Sequence, residues 1–326
     1  MRGAKAPRYV FLCDASRHIL HICCVMRSYS AKLLLFGEHV LLLGAPALAV
    51  PVPALSGFWD WRSPDTPLSE TDMQLLEFSY SPLAREVREI DWEAFENDLG
   101  LGLFFNSNIP TGYGLGSSGA LVAAVYDRYA LSKNDDPVEL KRIFSAMERY
   151  FHGESSGIDP LTSYLDLPLT VRDIGTVTVA QTALWKPRPP VVFLLDSQLP
   201  RRTGPMVQWF REQSAEPAFF NAMKAEYLPA LEAAIAAWQL GDLRGFEQAL
   251  ALVSRFQLDN MQPLIPPSLL DLWRHATERS QGIYFKLCGA GGGGYLLGFA
   301  PTREAAKATA GKHPVIFPFE KGHTST

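Results

Sequence analysis

The chain has 326 residues, long enough for about two domains, and carries 30 basic against 34 acidic residues for a net charge of −4. That balance excludes a strongly basic nucleic-acid footprint. With 47% hydrophobic and 20% charged residues, the composition is that of a soluble globular protein with a core of its own, not of a disordered chain.

Residues 1–25 stand apart. They hold three of the four cysteines and show no clean period, and Asp14, Arg17 and His18 interrupt the apolar run a secretory signal needs. His18, His21, Cys23 and Cys24 have no common zinc spacing. A transit peptide stays open as a reading, beside the simpler one that Met26 is an alternative start and 1–25 a dispensable extension. Four cysteines in the whole chain fit a reducing, cytoplasmic compartment, and no Cys-x-x-Cys redox or zinc pair occurs.

Residues 29–36 read as a strand. The apolar window 40–55 is too short and too proline-rich for a membrane span, and reads as two buried strands joined by the turn Gly44-Ala45-Pro46. A polar stretch over 60–70 leads to helices at 71–88 and 91–99, then a short strand at 101–106. A glycine-rich turn, 112–119, opens a helix to about 131, and Asp136-Pro137 starts another. Strands follow near 169–173, 176–184 and 190–196, with 185–190 as a connection between domains. Helices fill 204–240, 242–258 and 266–280. Strands at 283–288 and 295–299 bracket the run Gly289–Gly294. This mixture predicts an α+β protein of two lobes.

Three constellations carry candidate chemistry. In Asn108-Ile-Pro-Thr-Gly-Tyr-Gly-Leu-Gly-Ser-Ser-Gly-Ala120, four glycines in eight positions let the backbone approach a ligand. The helix behind it puts free N–H groups and a positive dipole end at Ser117–Gly119, an anion site. No lysine occurs for a Walker A loop, and the Gly114-x-Gly116-x-x-Gly119 match to a dinucleotide fingerprint is weak because Pro110-Thr111 parts it from its strand. A simple tight turn over a buried helix is the alternative. In Gly289–Gly294, five glycines in six positions call for either a ligand or close strand packing. In Glu148-x-x-x-His152-Gly-Glu-Ser-Ser-Gly-Ile-Asp159, Asp159 suits an acid that orients or deprotonates a hydroxyl, and Glu148 suits a hard oxygen ligand for magnesium. Either could equally be a solvated or capping carboxylate. Lys32 could be an exposed strand-edge lysine and His39 a hydrogen-bonded core histidine.

Taken in order, Ala31-Lys-Leu-Leu-Leu-Phe-Gly-Glu-His39, Pro110–Ala120 and Lys286-Leu-Cys-Gly-Ala-Gly-Gly-Gly-Gly294 resemble the signatures of the GHMP kinase superfamily. Within it the mevalonate kinases are most similar, through Gly37-Glu38-His39, the His-Gly-x-x-Ser-Gly-x-Asp pattern of His152–Asp159, and Pro200-Arg-Arg-Thr203. The resemblance implies a nucleotide-binding α/β lobe over 26–187 and a ferredoxin-like lobe over 188–326. It implies a kinase that uses ATP and Mg2+ to phosphorylate a small-molecule hydroxyl, with mevalonate to 5-phosphomevalonate as the first expectation. A phosphomevalonate, homoserine or sugar kinase, or a non-catalytic nucleotide or metabolite sensor, stays as the alternative. Asp159 and Lys32 take the catalytic roles in this reading. Gly112, Gly114, Leu115, Gly116, Ser117, Ser118, Gly119, Gly291 and Gly292 take the ATP phosphates. Ser118 and Glu148 take the metal, and His39, Arg201 and Thr203 the acceptor. The implied partner is a small molecule, with no nucleic acid and no membrane, and a homodimer left open.

Overall fold

The computed structural model describes residues 27–63, 66–172, 176–181, 185, 188–201, 203–279 and 282–320. The extension 1–25 and Arg202 lie outside the described residues, as does residue 187 at the expected domain boundary.

The first strand, β1 (Ser28–Phe36), ends where the chain turns sharply at Gly37, with φ 98°. A Cβ there would sit 2.4 Å from the Cβ of Ala47, so glycine is what lets the turn pack on the next strand. Residues 40–55 are not two strands. Val40–Leu43 form a 3-10 turn, closed by left-handed Gly44, and a single long strand β2 (Ala47–Trp61) follows, antiparallel to β1. Pro51 and Pro53 sit within β2. The pairing shifts between Ser30 and Ala31, whose partners are Ser56 and Val52, so Pro53–Leu55 bulge from the ladder. The bulged Ala54 sends its N–H to Pro318 O instead, at 3.3 Å. The strand continues past the expected polar boundary because Trp59 is buried and its indole N–H reaches Ala124 O.

The helix expected over 71–88 is two, α1 (Glu70–Tyr80) and α2 (Pro82–Arg85), divided where Pro82 brings no N–H to continue the ladder. Next come α3 (Trp92–Gly100), β3 (Leu103–Ser107), α4 (Ser117–Tyr129), α5 (Pro137–His152), α6 (Ile158–Leu165), β4 (Leu169–Arg172) and β5 (Thr176–Val179). Helix α6 was not anticipated. These strands make one antiparallel sheet in the order β1-β2-β4-β5, with β3 pairing the C-terminal half of β2 on the same edge as β4. Helix α4 is buried along most of its length because it lies between β1 and α6. Its alanines and Gly119 allow that close packing.

A second antiparallel sheet begins with β6 (Val191–Asp196). The helix expected over 204–240 is broken. Helix α7 (Thr203–Ala215) ends before Pro217, α8 (Pro217–Ala222) runs into a π turn at Met223–Tyr227, and α9 (Leu228–Leu240) follows. Then come α10 (Leu243–Asn260), α11 (Pro267–Arg279), β7 (Tyr284–Leu287), β8 (Tyr295–Ala300), α12 (Arg303–Ala310) and β9 (Val315–Ile316), the last two unanticipated. The strand order is β7-β8-β6-β9. With helices after β6 and β8, this is the split βαββαβ arrangement of a ferredoxin-like lobe, so the two-lobed α+β fold stands. Phe36 of the first lobe packs on Phe246 and Phe299 of the second at 6.0 and 6.2 Å, which joins the two cores.

Candidate active site

The cleft between the lobes is built from chain turns that place side chains on its walls. Lys32 stands in the middle of β1, nearly buried, and its backbone N–H donates to Leu115 O at 2.8 Å. That bond docks the glycine turn on the strand. Its Nζ lies 2.6 Å from Asp159 Oδ1. Asp159 is in the first turn of α6, whose start is set by left-handed Gly157.

Helix α4 starts behind left-handed Gly116, with no side chain capping its first turn. The N–H groups of that turn are therefore left for solvent or an anion. A Cβ on Gly116 would lie 3.3 Å from Asp159 Oδ2, and one on Gly119 would lie 2.9 Å from the backbone of Asp159 and Pro160. The N-termini of α4 and α6 thus converge on one point, with the Lys32–Asp159 pair between them.

Ser118 and Glu148 are brought together as well. Ser118 Oγ is 3.3 Å from Glu148 Oε1 and 2.9 Å from His152 Nε2, and Ser155 Oγ donates to the other Glu148 oxygen. Glu148 is 3% exposed. Burial first, and the Asp159 charge second, push its carboxyl up to about 7. His152 was quoted in the sequence motif without a role. Its spacing of four from Glu148 on α5, one helical turn, is the signal that could have pointed to it.

Across the cleft, His39, Arg201 and Thr203 line the opposite wall with Gly289 and Ala290. His39 stacks on Phe210 at 4.8 Å and its Nε2 is 3.1 Å from Ala290 O. A carbonyl only accepts, so Nε2 carries the proton and Nδ1 is the acceptor. Burial lowers the imidazole to about 4. The Arg201 guanidinium lies where a Cβ on either Gly114 or Gly289 would be, 1.5 Å and 2.2 Å from its nitrogens. Arg201 Nε is buried with no hydrogen-bond partner among the described residues, and burial lowers the guanidinium's pKa.

Not every expected phosphate residue faces the cleft. Leu115 is core and contributes only its carbonyl. Gly291 and Gly292 are absent from the walls, which Gly289 and Ala290 supply. A Cβ at 291 would meet Leu264 O at 2.3 Å and one at 292 would meet Met206 Sδ at 2.7 Å, and both positions have positive φ, so packing and backbone conformation account for these two glycines. Gly112, Gly114, Gly116, Ser117 and Ser118 all line the cleft, whose volume is about 800 Å³.

Residues 83–166, which include the glycine turn, Glu148 and Asp159, match the family model of the GHMP kinases N terminal domain. That segment is similar to the N-terminal domain of the GHMP kinases. It is 26% identical to the mevalonate kinase of Thermococcus gammatolerans, over 88% of this chain and 92% of that protein. Its fold is that of the L. major mevalonate kinase solved in complex with R-mevalonate (TM-score 0.62, 17% identity, 90% of this chain and 96% of that one). It is equally that of the Streptococcus pneumoniae phosphomevalonate kinase solved with phosphomevalonate and AMPPNP (TM-score 0.59, 17% identity, 87% and 94%). The match to a GHMP kinase domain implies ATP as co-substrate. Among the described residues, no helix is long and apolar enough to cross a membrane.

Proposed function

We propose that the chain transfers the γ-phosphoryl group of ATP to a small-molecule hydroxyl, and that the acceptor is mevalonate, giving 5-phosphomevalonate. The observation that carries the reaction class is the Lys32–Asp159 pair, 2.6 Å apart, at the point where the glycine turn and the α4 N-terminus meet. The acceptor follows from the curated relatives, which span 88% of the chain and are named mevalonate kinase.

Phosphoryl transfer asks a protein chiefly to position groups and offset charge. The first-turn N–H groups of α4 and the open backbone of Gly112–Gly116 would hold the phosphates. Lys32 Nζ donates to Asp159 Oδ1, which leaves Oδ2 on the side of Gly116 to accept the acceptor's hydroxyl proton. As that proton moves to Oδ2, the acceptor oxygen bonds to the γ-phosphorus and the bond from phosphorus to the leaving ADP oxygen breaks. Lys32 is placed to balance the charge that builds on the transferring group. Arg201, buried and with a free Nε, suits the carboxylate of a hydroxy acid. Neutral His39 offers Nδ1 to a second hydroxyl.

Ser118 and Glu148 fit a magnesium ion. They are hard oxygen donors, and burial first, then the Asp159 charge, pushes the Glu148 carboxyl toward protonation, which a divalent cation would counter. When bound there, such an ion supplies charge neutralisation to the phosphates.

The test is ADP release with ATP and Mg2+ against mevalonate, phosphomevalonate, homoserine and galactose in parallel. Turnover with mevalonate alone is expected. Turnover with another acceptor alone would move the protein to a sister branch, and silence on all four would overturn the reading.

A further inference from the structure

Ser118 Oγ has two hydrogen-bonding partners in reach, and the nearer is not the carboxylate. His152 Nε2 stands 2.9 Å from Ser118 Oγ, against 3.3 Å for Glu148 Oε1. His152 is the last residue of α5, and Gly153 behind it takes φ 74° to turn the chain away, so the imidazole is presented into the cleft beside Ser118. Ser155 already donates to Glu148 Oε2.

We infer that His152 is a positioning residue for a divalent cation held by Ser118 and Glu148. The inference rests on the assignment of those two residues as the cation site. With its proton aimed at Glu148, the Ser118 hydroxyl would occupy the carboxylate oxygen nearest to it. Drawn to His152 Nε2, the same proton leaves both Glu148 Oε1 and a Ser118 lone pair free toward one space. An unprotonated Nε2 also draws electron density onto Oγ, which makes the hydroxyl a better donor to a hard cation. Hydrogen-bond partners behind metal ligands act in this way, and their loss weakens binding by about 10- to 100-fold.

The experiment measures Mn2+ binding to the protein–ADP complex by electron paramagnetic resonance of free Mn2+, with thermal melts to establish that each variant is folded. His152→Ala is expected to raise the Mn2+ dissociation constant by about 10-fold or more. His152→Gln, whose amide oxygen offers an acceptor on a side chain of similar reach, is expected to recover most of the loss. A merely structural role for the ring would not be rescued by glutamine and would not single out the metal. Unchanged Mn2+ binding in His152→Ala, with Ser118→Ala weakened, would overturn the inference and leave the cation site standing. Unchanged binding in both variants would overturn the cation site and the inference with it.

Discussion

Lys286 Nζ lies 2.7 Å from Glu38 Oε1, and the two side chains are 0% and 1% exposed. Glu38 comes from the turn that leaves β1, and Lys286 from β7 in the other lobe. Gln257 of α10 completes the junction. Its Nε2 donates to Glu38 Oε1 and to the Tyr227 hydroxyl, and its Oε1 accepts the Leu287 N–H. A paired charge is therefore sealed into the seam directly beneath His39. Removing one partner of such a pair costs far more than the pair itself contributes, because the other charge is left buried.

Lys286→Met is accordingly expected to lower unfolding stability by about 3–5 kcal/mol. The double variant Glu38→Gln/Lys286→Met should recover most of that loss. Urea unfolding of the two variants decides it, and a single-variant loss under about 1 kcal/mol would show that the pair is not sealed from water.

Asp159→Asn should keep nucleotide affinity and lower kcat by at least ~10²-fold, the lower range for a positioned acid–base group. Isothermal titration with an ATP analogue and steady-state turnover separate the two effects. Near-normal turnover would remove Asp159 from the chemistry.

Gly119→Ala places a Cβ 2.9 Å from the Asp159 carbonyl carbon and the Pro160 nitrogen. Backbone cannot step aside as a side-chain tip can, so α4 and α6 must part. The expected result is a fall in kcat of about 10-fold or more, since small misplacements of reacting groups are costly. Alanine at Gly112, where no heavy atom lies within 4 Å of the new Cβ, meets only the strain of φ 79° and should lower stability by about 1 kcal/mol, with a smaller effect on turnover.

His39 sets a pH dependence. Its folded pKa is about 4 because burial disfavours the imidazolium, against an ordinary value near 6.5. Below pH 6.5 the unfolded chain takes up a proton that the folded one refuses. The stability held above that pH is thus lost progressively as pH falls toward 4, by up to about 3 kcal/mol. Melting curves of the wild type and His39→Gln between pH 7 and 4.5 should show a shallower decline in the variant. Parallel declines would mean that His39 titrates elsewhere.

Much of the site was legible because its parts are local. The run Gly112–Gly119 needs positive φ at Gly112, Gly114 and Gly116, and only its glycines permit that cheaply, so both the turn and the helix start at Ser117 could be read directly. Asp136 capping α5 before Pro137 was equally plain. Misreadings came where the period was ambiguous. The apolar window 40–55 carries no signal that separates a 3-10 turn from a strand, and it was Gly37 and Gly44 that decided the break. Helix α6 is only eight residues long, too short to show its period against the strands around it.

What the sequence determined by itself was the set of backbone conformations and the order of the motifs, since those depend on neighbours along the chain. Tertiary structure alone decided the contacts that make the cleft. Arg201 crosses between Gly114 and Gly289, Lys32 meets Asp159, and His152 meets Ser118. It also separated the glycines that line the cleft from Gly291 and Gly292, which are required by Leu264 and Met206. Each of these relations joins segments apart in sequence, and the approach of Arg201 to Gly114 further requires the two hydrophobic cores to have closed on each other through Phe36, Phe246 and Phe299.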